Sequence, residues 1–419
     1  MIVNQSVSVV PKLRFPRFQS AGDWKADQLD NVAKITKGKG VSKADITEGG
    51  ETPCIRYAEL YTQYREVIHD VVSRTNVPHE DLVLSQAEDV IVPASGETRE
   101  DIARAACVLS EQVALGSDLN ILRSNLHGPF FSYLLNSPLR HKIARMAQGD
   151  TVAHLYPKQL SQVRLAYPSY PEQQNIADCL ASLDNLIAAE DRKLEALRQH
   201  KQGLMQQLFP QPSETVPPLG VQSDWKTLSL PKVVFFQEGP GIMAADFHST
   251  GIPLVRLSGL AEKCVTLDGC NFLDPHKVAQ KWAHFRLAVD DLVISTSASF
   301  GRVSIATEAV AGAVFYTGLV RFRSTDKRLS NAYLKSFLES PNFLRQVESY
   351  AVGGGIKHFG PTHLRQMHIQ LPPLFEQQRI ADCLGSLDGL VSAMCRRLIF
   401  LRQHKQGLMQ RLFPSLEGE

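Results

Sequence analysis

Cysteine is scarce in this 419-residue chain, and its seven copies are scattered with no Cys-x-x-Cys pair. An odd, dispersed set argues against a disulfide framework or a zinc site and fits reduced thiols of a cytoplasmic protein. Long apolar runs are missing too. The longest weakly polar run, Ala309 to Val320, is too short and too broken to span a bilayer, so no membrane partner is expected. The opening MIVNQSVSVVPKLRFPRF has no charged segment followed by an apolar core, and no secretory leader is expected. Neither sign of charge dominates: 45 Lys+Arg against 43 Asp+Glu leave a net charge of +2. Such a balance does not announce a nucleic-acid binder, so phosphate contacts would have to come from local patches. The 43% hydrophobic and 21% charged residues are otherwise those of a globular protein with two or three domains.

Catalytic signatures are also wanting. The run GKGVSK at 38–43 lacks the leading glycine of a Walker loop. Gly353–Gly355 follows no clear strand and opens no helix, unlike a dinucleotide fingerprint. No His-Glu-x-x-His occurs. Leu371-Pro372-Pro373-Leu374 lacks the amide or carboxylate that an amino-methyltransferase motif places before its prolines. Asp274 with Lys277, or Asp290 with Asp291, makes a poor nuclease pattern. No catalytic residue, metal ligand or cofactor site is assigned.

What the chain does have is a stretch used twice. EQQNIADCLASLDNLIAAEDRKLEALRQHKQGLMQQLFP (172–210) returns as EQQRIADCLGSLDGLVSAMCRRLIFLRQHKQGLMQRLFP (376–414), at a constant offset of 204. By direct count about 28 of 39 positions are identical. Prolines bracket both copies, and Glu172 and Glu376 fall where a first turn favours acid. Apolar residues step by four and three through Ile176, Leu180, Leu183, Ile187, Leu194, Leu197, Leu204 and Leu208. The second copy continues the pattern through Ile380, Leu384, Leu387, Val391, Met394, Leu398, Leu401, Leu408 and Leu412. This spacing predicts two long helices with a coiled-coil seam, each the obvious partner of the other. Glu190, Lys201 and Lys405 interrupt the seam. The simpler alternative is a pair of ordinary amphipathic core helices. Gly203 and Gly407 lie inside the helices at a cost of about 1 kcal/mol each, which points to close approach by another backbone or a protein surface.

Around the helices the chain repeats one plan. Residues 1–20 read as a basic, proline-punctuated arm, either touching phosphates or solvated. Residues 21–170 read as a mixed α/β domain, with strands expected at 32–36, 53–57, 67–72, 89–93 and 163–167 and a helix at 130–147. Residues 211–223 read as a linker, 224–371 as a second such domain, 372–414 as the second helical segment and 415–419 as a tail. DVIVPASGE (89–97) is echoed by DLVISTSAS (291–299), and GDTVAHLYPKQL (149–160) by GGGIKHFGPTHL (353–364). Between these anchors the two domains differ almost completely, as two modules doing one job on different targets would.

Candidate contact residues lie in the polar turns. Lys37, Lys39 and Lys43 flank a glycine-rich loop that would let backbone approach phosphate. Ser95, Thr98 and Arg99 follow a buried strand, and Ser297, Ser299 and Arg302 hold the corresponding place in the second domain. Short polar side chains with arginine suit base edges and phosphates. Lys357 and His358 follow the triple glycine, in a turn rich in backbone donors. A solvated or structural turn is the alternative for each.

With VPKLRFPRF, GKGVSKADI, ASGETREDIARA, AHLYPKQLSQVRLAYPSYPEQQNIA, KHFGPTHLRQMHIQLPPLFEQQRIA and the doubled LRQHKQGLMQ in view, the chain resembles the specificity subunit of type I restriction–modification enzymes. The likeness runs over essentially the whole length. It implies an α+β protein: two target recognition domains separated by two long antiparallel coiled-coil helices, related by an internal pseudo-twofold repeat. Each domain would read one half of a bipartite, asymmetric site in double-stranded DNA. The helix pair would set the spacer and dock two methyltransferase subunits, and restriction subunits would join that core. On this resemblance the helix-pair and methyltransferase interface falls on Leu180, Leu183, Ile187, Leu197, Leu204, Leu384, Leu387, Val391, Leu398, Leu401 and Leu408. The chain itself would be non-catalytic, with S-adenosylmethionine, ATP and magnesium bound by its partners. The rival readings are a coiled-coil scaffold with no DNA role and a self-contained enzyme.

Overall fold

A computed structural model describes residues 9–149, 153–209, 225–261, 263–296, 303–350 and 359–414. The chain divides into two units, Met1–Asp191 with Arg396–Glu419, and Arg192–Cys395. Both mix helix and sheet, and the fold is α+β.

The first unit is built on a five-stranded sheet in the order Ala33–Lys37, Leu119–Ser124, Asp89–Pro93, Ala106–Val108, Val67–Ile68. Asp89–Pro93 is buried along its whole length, which is why its sequence is apolar without alternation. A three-stranded sheet pairs Thr52–Ile55 antiparallel to Ser73–Thr75 and parallel to Ala114–Leu115. Lys25–Gln28 pairs with Arg164–Tyr167, so the first and last strands of the domain lie together. The second unit has a four-stranded sheet, Val234–Glu238, Leu319–Ser324, Leu292–Ser295, Val303–Ile305, and a three-stranded sheet centred on Ile252–Val255. There too the first strand, Lys226–Ser229, pairs with the last, His368–Leu371.

The repeated stretches form helices Tyr170–Leu208 and Leu374–Leu412, each of 39 residues. Both start and stop about two residues earlier than the sequence pattern indicates. The division into units cuts both helices, so each unit holds the start of one and the end of the other. In the first unit Ile176 and Leu180 share a core with Phe130, Tyr133, Met409, Leu412 and Phe413. In the second, Met205, Phe209, Ile380 and Leu384 pack with Tyr333, Phe337 and Phe343. Phe209 and Phe413 are equivalent positions of the repeat, and each fills an aromatic core. Phe413 lies 5.6 Å from Phe130 and 6.4 Å from Trp24 between ring centroids, and Phe209 lies 5.5 Å from Tyr333. Burying such a ring contributes roughly 1.5–3 kcal/mol.

This corrects the reading of the seam. Leu180 and Leu384 are buried and Leu408 is half-buried, each in a core that holds residues of both long helices and of a sheet domain, so these three positions face a domain core as well as the other helix. Ile187, Leu398 and Leu401 are buried, whereas Leu183, Leu197, Leu204, Leu387 and Val391 are only half-buried. The polar interruptions are ion-paired. Lys405 binds Asp184 at 2.7 Å and Glu66 at 2.8 Å, Glu190 binds Arg397 at 3.0 Å, and Lys201 binds Asp388 at 2.5 Å. In each unit residue numbers rise along one helix as they fall along its neighbour.

The shared Glu-Gln at the helix starts also has a physical account. Buried Gln173 donates to the Pro168 carbonyl and accepts from the His127 amide, both at 2.9 Å. Buried Gln377 donates to the carbonyls of Pro372 (2.8 Å) and Arg328 (2.6 Å) and accepts from the Ser330 amide at 2.9 Å. Each amide ties a helix start to the turn before a core helix. Glu172 takes both oxygens to Arg14 at 2.8 Å, and Glu376 accepts from Trp225 Nε1 at 3.0 Å.

Other expectations need correction. The basic arm is not free over its described part: Val9 is in the core, the Leu13 amide donates to the Arg411 carbonyl, and Arg14 is held by Glu172. The expected helix 130–147 is two helices, Gly128–Asn136 and Arg140–Met146, interrupted at Ser137-Pro138 because proline offers no amide and restricts the residue before it. The strand at 67–72 stops at Ile68 and the chain pairs again at Ser73–Thr75. No backbone approaches Gly203 or Gly407: nothing lies within 4 Å of a Cβ built at either. Among the described residues no helix is long and apolar enough to cross a membrane.

Candidate nucleic-acid interface

Lys37 ends the edge strand Ala33–Lys37, and its exposed ammonium sits over the Tyr156 ring, 5.4 Å from the centroid. Tyr156 is 46% exposed and stacks with His154, with centroids 6.2 Å apart and planes at 24°. His154 in turn pairs with Ser95 in a short ladder, while the Ser95 carbonyl accepts from Tyr61 Oη at 2.8 Å. The fold thus joins Lys37 and Ser95, some sixty residues apart in sequence, through two rings that the sequence reading did not single out. The available signal was Tyr156 itself, an aromatic where the second copy has Gly360. Lys37 likewise corresponds to Glu238, the last residue of the matching edge strand. The cation and the ring therefore belong to the first domain alone.

The remaining candidates are placed differently. Thr98 caps the short helix Arg99–Ile102, accepting from the Asp101 amide at 3.1 Å and donating to its carboxylate at 2.6 Å. That role is structural. Arg99 is exposed in the first turn, and Lys43 is exposed in the loop. Lys39 stands 3.4 Å from Asp81 in an exposed, salt-screened pair. Ser297, Ser299, Arg302, Lys357 and His358 lie outside the described residues.

The glycines of the loop answer to the fold rather than to a ligand. The Gly38 amide donates to Leu119 O at 3.0 Å, and a Cβ there would collide with the carbonyl oxygens of Gly116 and Leu115. Gly239 repeats the arrangement against Phe315 and Tyr316. Gly38→Ala is expected to destabilise the protein by about 1–3 kcal/mol in urea unfolding, because backbone must shift. Gly22→Ala, where a Cβ meets nothing within 4 Å, serves as the neutral control.

The carboxylates once weighed as a nuclease pattern are structural. Asp291 is fully buried and accepts from Arg323 Nε and Nη2 at 2.7 and 2.8 Å and from the Ala288 amide at 2.8 Å. The bond to Asp291 raises the Arg323 pKa above its ordinary value. Asp89 has the same role in the first unit, held by Arg123 at 3.1 Å and by the Gln86 amide, and burial pushes its carboxyl pKa up. Asp274 caps a helix at the Lys277 amide, and Lys277 pairs with Asp246. Among the described residues no group of acidic, histidine and cysteine side chains is arranged to hold a metal.

The family described as type I restriction modification DNA specificity domain matches residues 21–199 and 277–398, most of the chain. This chain belongs to that family. Among curated relatives, the type I restriction enzyme MjaVIII specificity subunit of Methanocaldococcus jannaschii is 21% identical over 407 residues, covering 94% of this chain and 92% of the relative. The putative MjaX specificity subunit of the same organism is 24% identical over 396 residues, covering 89% and 84%. Two solved structures share the fold. The S subunit of a type I system from M. genitalium has a TM-score of 0.59 at 15% identity, covering 97% of this chain and all of that one. A chain solved in work on complex assembly and conformational transition of the type I R-M system has a TM-score of 0.61 at 16% identity, covering 93% and 97%. The specificity subunit recognises DNA sequence for its system and is not itself the catalytic component.

Proposed function

We propose that the two dissimilar sheet domains are readers of the two halves of a bipartite, asymmetric DNA site, held at a fixed separation by an antiparallel coiled-coil pair with pseudo-twofold symmetry. The observation that carries this is the pairing of Asp184 with Lys405 and of Lys201 with Asp388. Under the 204-residue repeat these are one ion pair written twice, once in each unit. A helix of 39 residues is about 58 Å long at 1.5 Å per residue, so it spans roughly 17 base pairs. Both ends of each helix are taken up in domain cores, so the readers meet duplex DNA closer than the full rod, about one turn apart on one side.

Two methyltransferase subunits dock on the helix pair in this reading. Support comes from Leu186 and Leu390, equivalent positions of the repeat that stay 40% and 55% exposed, and from the open surface at Gly203 and Gly407. Restriction subunits join that core. S-adenosylmethionine, ATP and magnesium are bound by the partners, and the complex works on DNA in the cytoplasm.

Sequencing methylated adenines in a host carrying this chain and its methyltransferase is the direct test. A motif of two short blocks separated by unread bases is expected, and a single contiguous motif would count against the arrangement. The Lys37–Tyr156 cluster serves the first half-site. Lys37→Ala is expected to weaken DNA binding about fivefold and to lower the salt slope by about one, as loss of one phosphate contact does. Fluorescence anisotropy at several salt concentrations reads both quantities, and an unchanged slope would remove Lys37 from the interface.

A further inference from the structure

One cleft of the first unit borders the Asp184–Lys405 pair and opens onto groups that this scheme does not use. Its volume is about 1290 Å³, and Leu60, Glu66, Arg104, Arg140, Lys405 and Met409 are among its walls. Most carboxylates around it already have cations. Lys405 holds Glu66 and Asp184, and Asp191 takes Arg65 at 3.1 Å and Arg402 at 2.8 Å. Arg104 and Arg140 are left over. Neither has a salt bridge among the described residues. Arg104 donates only to Leu60 O, at 3.5 Å, and its buried Nε has no partner. Arg140 donates once, to the Glu100 carbonyl at 3.1 Å. Burial, then the adjacent Arg104 charge, pulls the Arg140 pKa below its ordinary value, while Asp101, Glu66 and Glu100 act more weakly the other way. Lys12 and His141 line the same space. Two partly buried guanidinium groups side by side are unfavourable without a counter-charge.

We propose that Arg104 and Arg140 form a site for a phosphate group, in a cleft roomy enough for a mononucleotide. Planar guanidinium groups match phosphate with paired donors, and partial burial shields the contact from salt. The phosphate comes either from a free nucleotide or from a DNA backbone. The site stands apart from the reading of bases, because it can be assayed with no DNA present.

The test uses the full-length chain and its Arg140→Gln variant. Each is titrated calorimetrically with inorganic pyrophosphate and with ADP, and each is assayed for DNA binding against salt. A free-nucleotide site gives saturable binding of ADP, at least tenfold weaker in R140Q, with an unchanged salt slope. A backbone site gives a salt slope reduced by about one in R140Q, with pyrophosphate competing against DNA. Equal titrations and equal slopes for the two proteins would overturn the proposal. Normal DNA binding by the wild type in that case would leave the DNA-reading function standing. Arg140→Lys keeps the charge and loses the fork, and it is expected to bind with intermediate affinity. If R140Q does not fold by circular dichroism, R140K against wild type decides the question, and equal affinity would again overturn it.

Discussion

Four residues inserted after Glu190, together with four after Met394, are expected to change which DNA the complex methylates. Both blocks should keep their bases while the gap between them grows. Four residues add about 6 Å to a helix, the rise of one to two base pairs. The added turn overshoots a full rotation by roughly 40°, close to the extra twist of the lengthened DNA. Both helices must be altered because the ion pairs lock them in register: Lys405 to Asp184 in one unit, Lys201 to Asp388 in the other. Insertion after Glu190 alone is expected to strain that register and to lower assembly as well. Methylated-adenine sequencing reads the gap directly. An unchanged motif from the doubly lengthened protein would defeat the idea that the helices measure the spacer.

Asp291→Ala is expected to be among the most damaging single substitutions, at about 3–5 kcal/mol. Its carboxylate is wholly buried, accepts two bonds from Arg323 and one from the Ala288 amide, and lies 3.6 Å from Arg321. Truncation strands a buried guanidinium: Arg321 is only 4% exposed. Arg321 keeps its bonds to the carbonyls of Arg286 and His284, but loses its compensating charge. Asp291→Asn would retain part of the hydrogen bonding and should cost less. Asp290, exposed next door, provides the comparison; Asp290→Asn preserves the residue type tolerated at its positive φ of 68° and should be near neutral. Urea unfolding monitored by far-UV dichroism ranks the three. A D291A variant within 1 kcal/mol of wild type would show that the buried pair is not what holds the two central strands of this sheet together.

The repeat made the two helices legible to within about two residues, because identity and apolar spacing point to the same stretch twice. It could not say what each apolar position touches. Leu180 and Leu398 carry the same seam spacing and both are buried, yet Leu180 packs with Phe130 and Tyr133 of the first sheet domain and Leu398 does not join that cluster. That difference arises from the sheet domain packed at the helix end, which periodicity along one chain does not encode. The turn residues were the least legible. Thr98 sits in a polar run that fits base contact, but three positions later Asp101 supplies the amide it caps. Gly38 reads as flexibility until the Leu115–Gly116 backbone appears beside it. Tyr156 and His154 gain meaning only through Lys37, which lies more than a hundred residues earlier and places its ammonium over the Tyr156 ring.

The first unit joins segments far apart in the chain, and Lys405 reaches Glu66 across 339 positions of sequence. During synthesis at roughly 5–20 residues per second, its sheets therefore wait tens of seconds for Phe413 to arrive and close the aromatic core. Until then a nascent chain exposes the apolar bed of that ring. A ribosome stalled between residues 371 and 413 would release a product whose recognition sheets are complete in sequence and unfinished in structure.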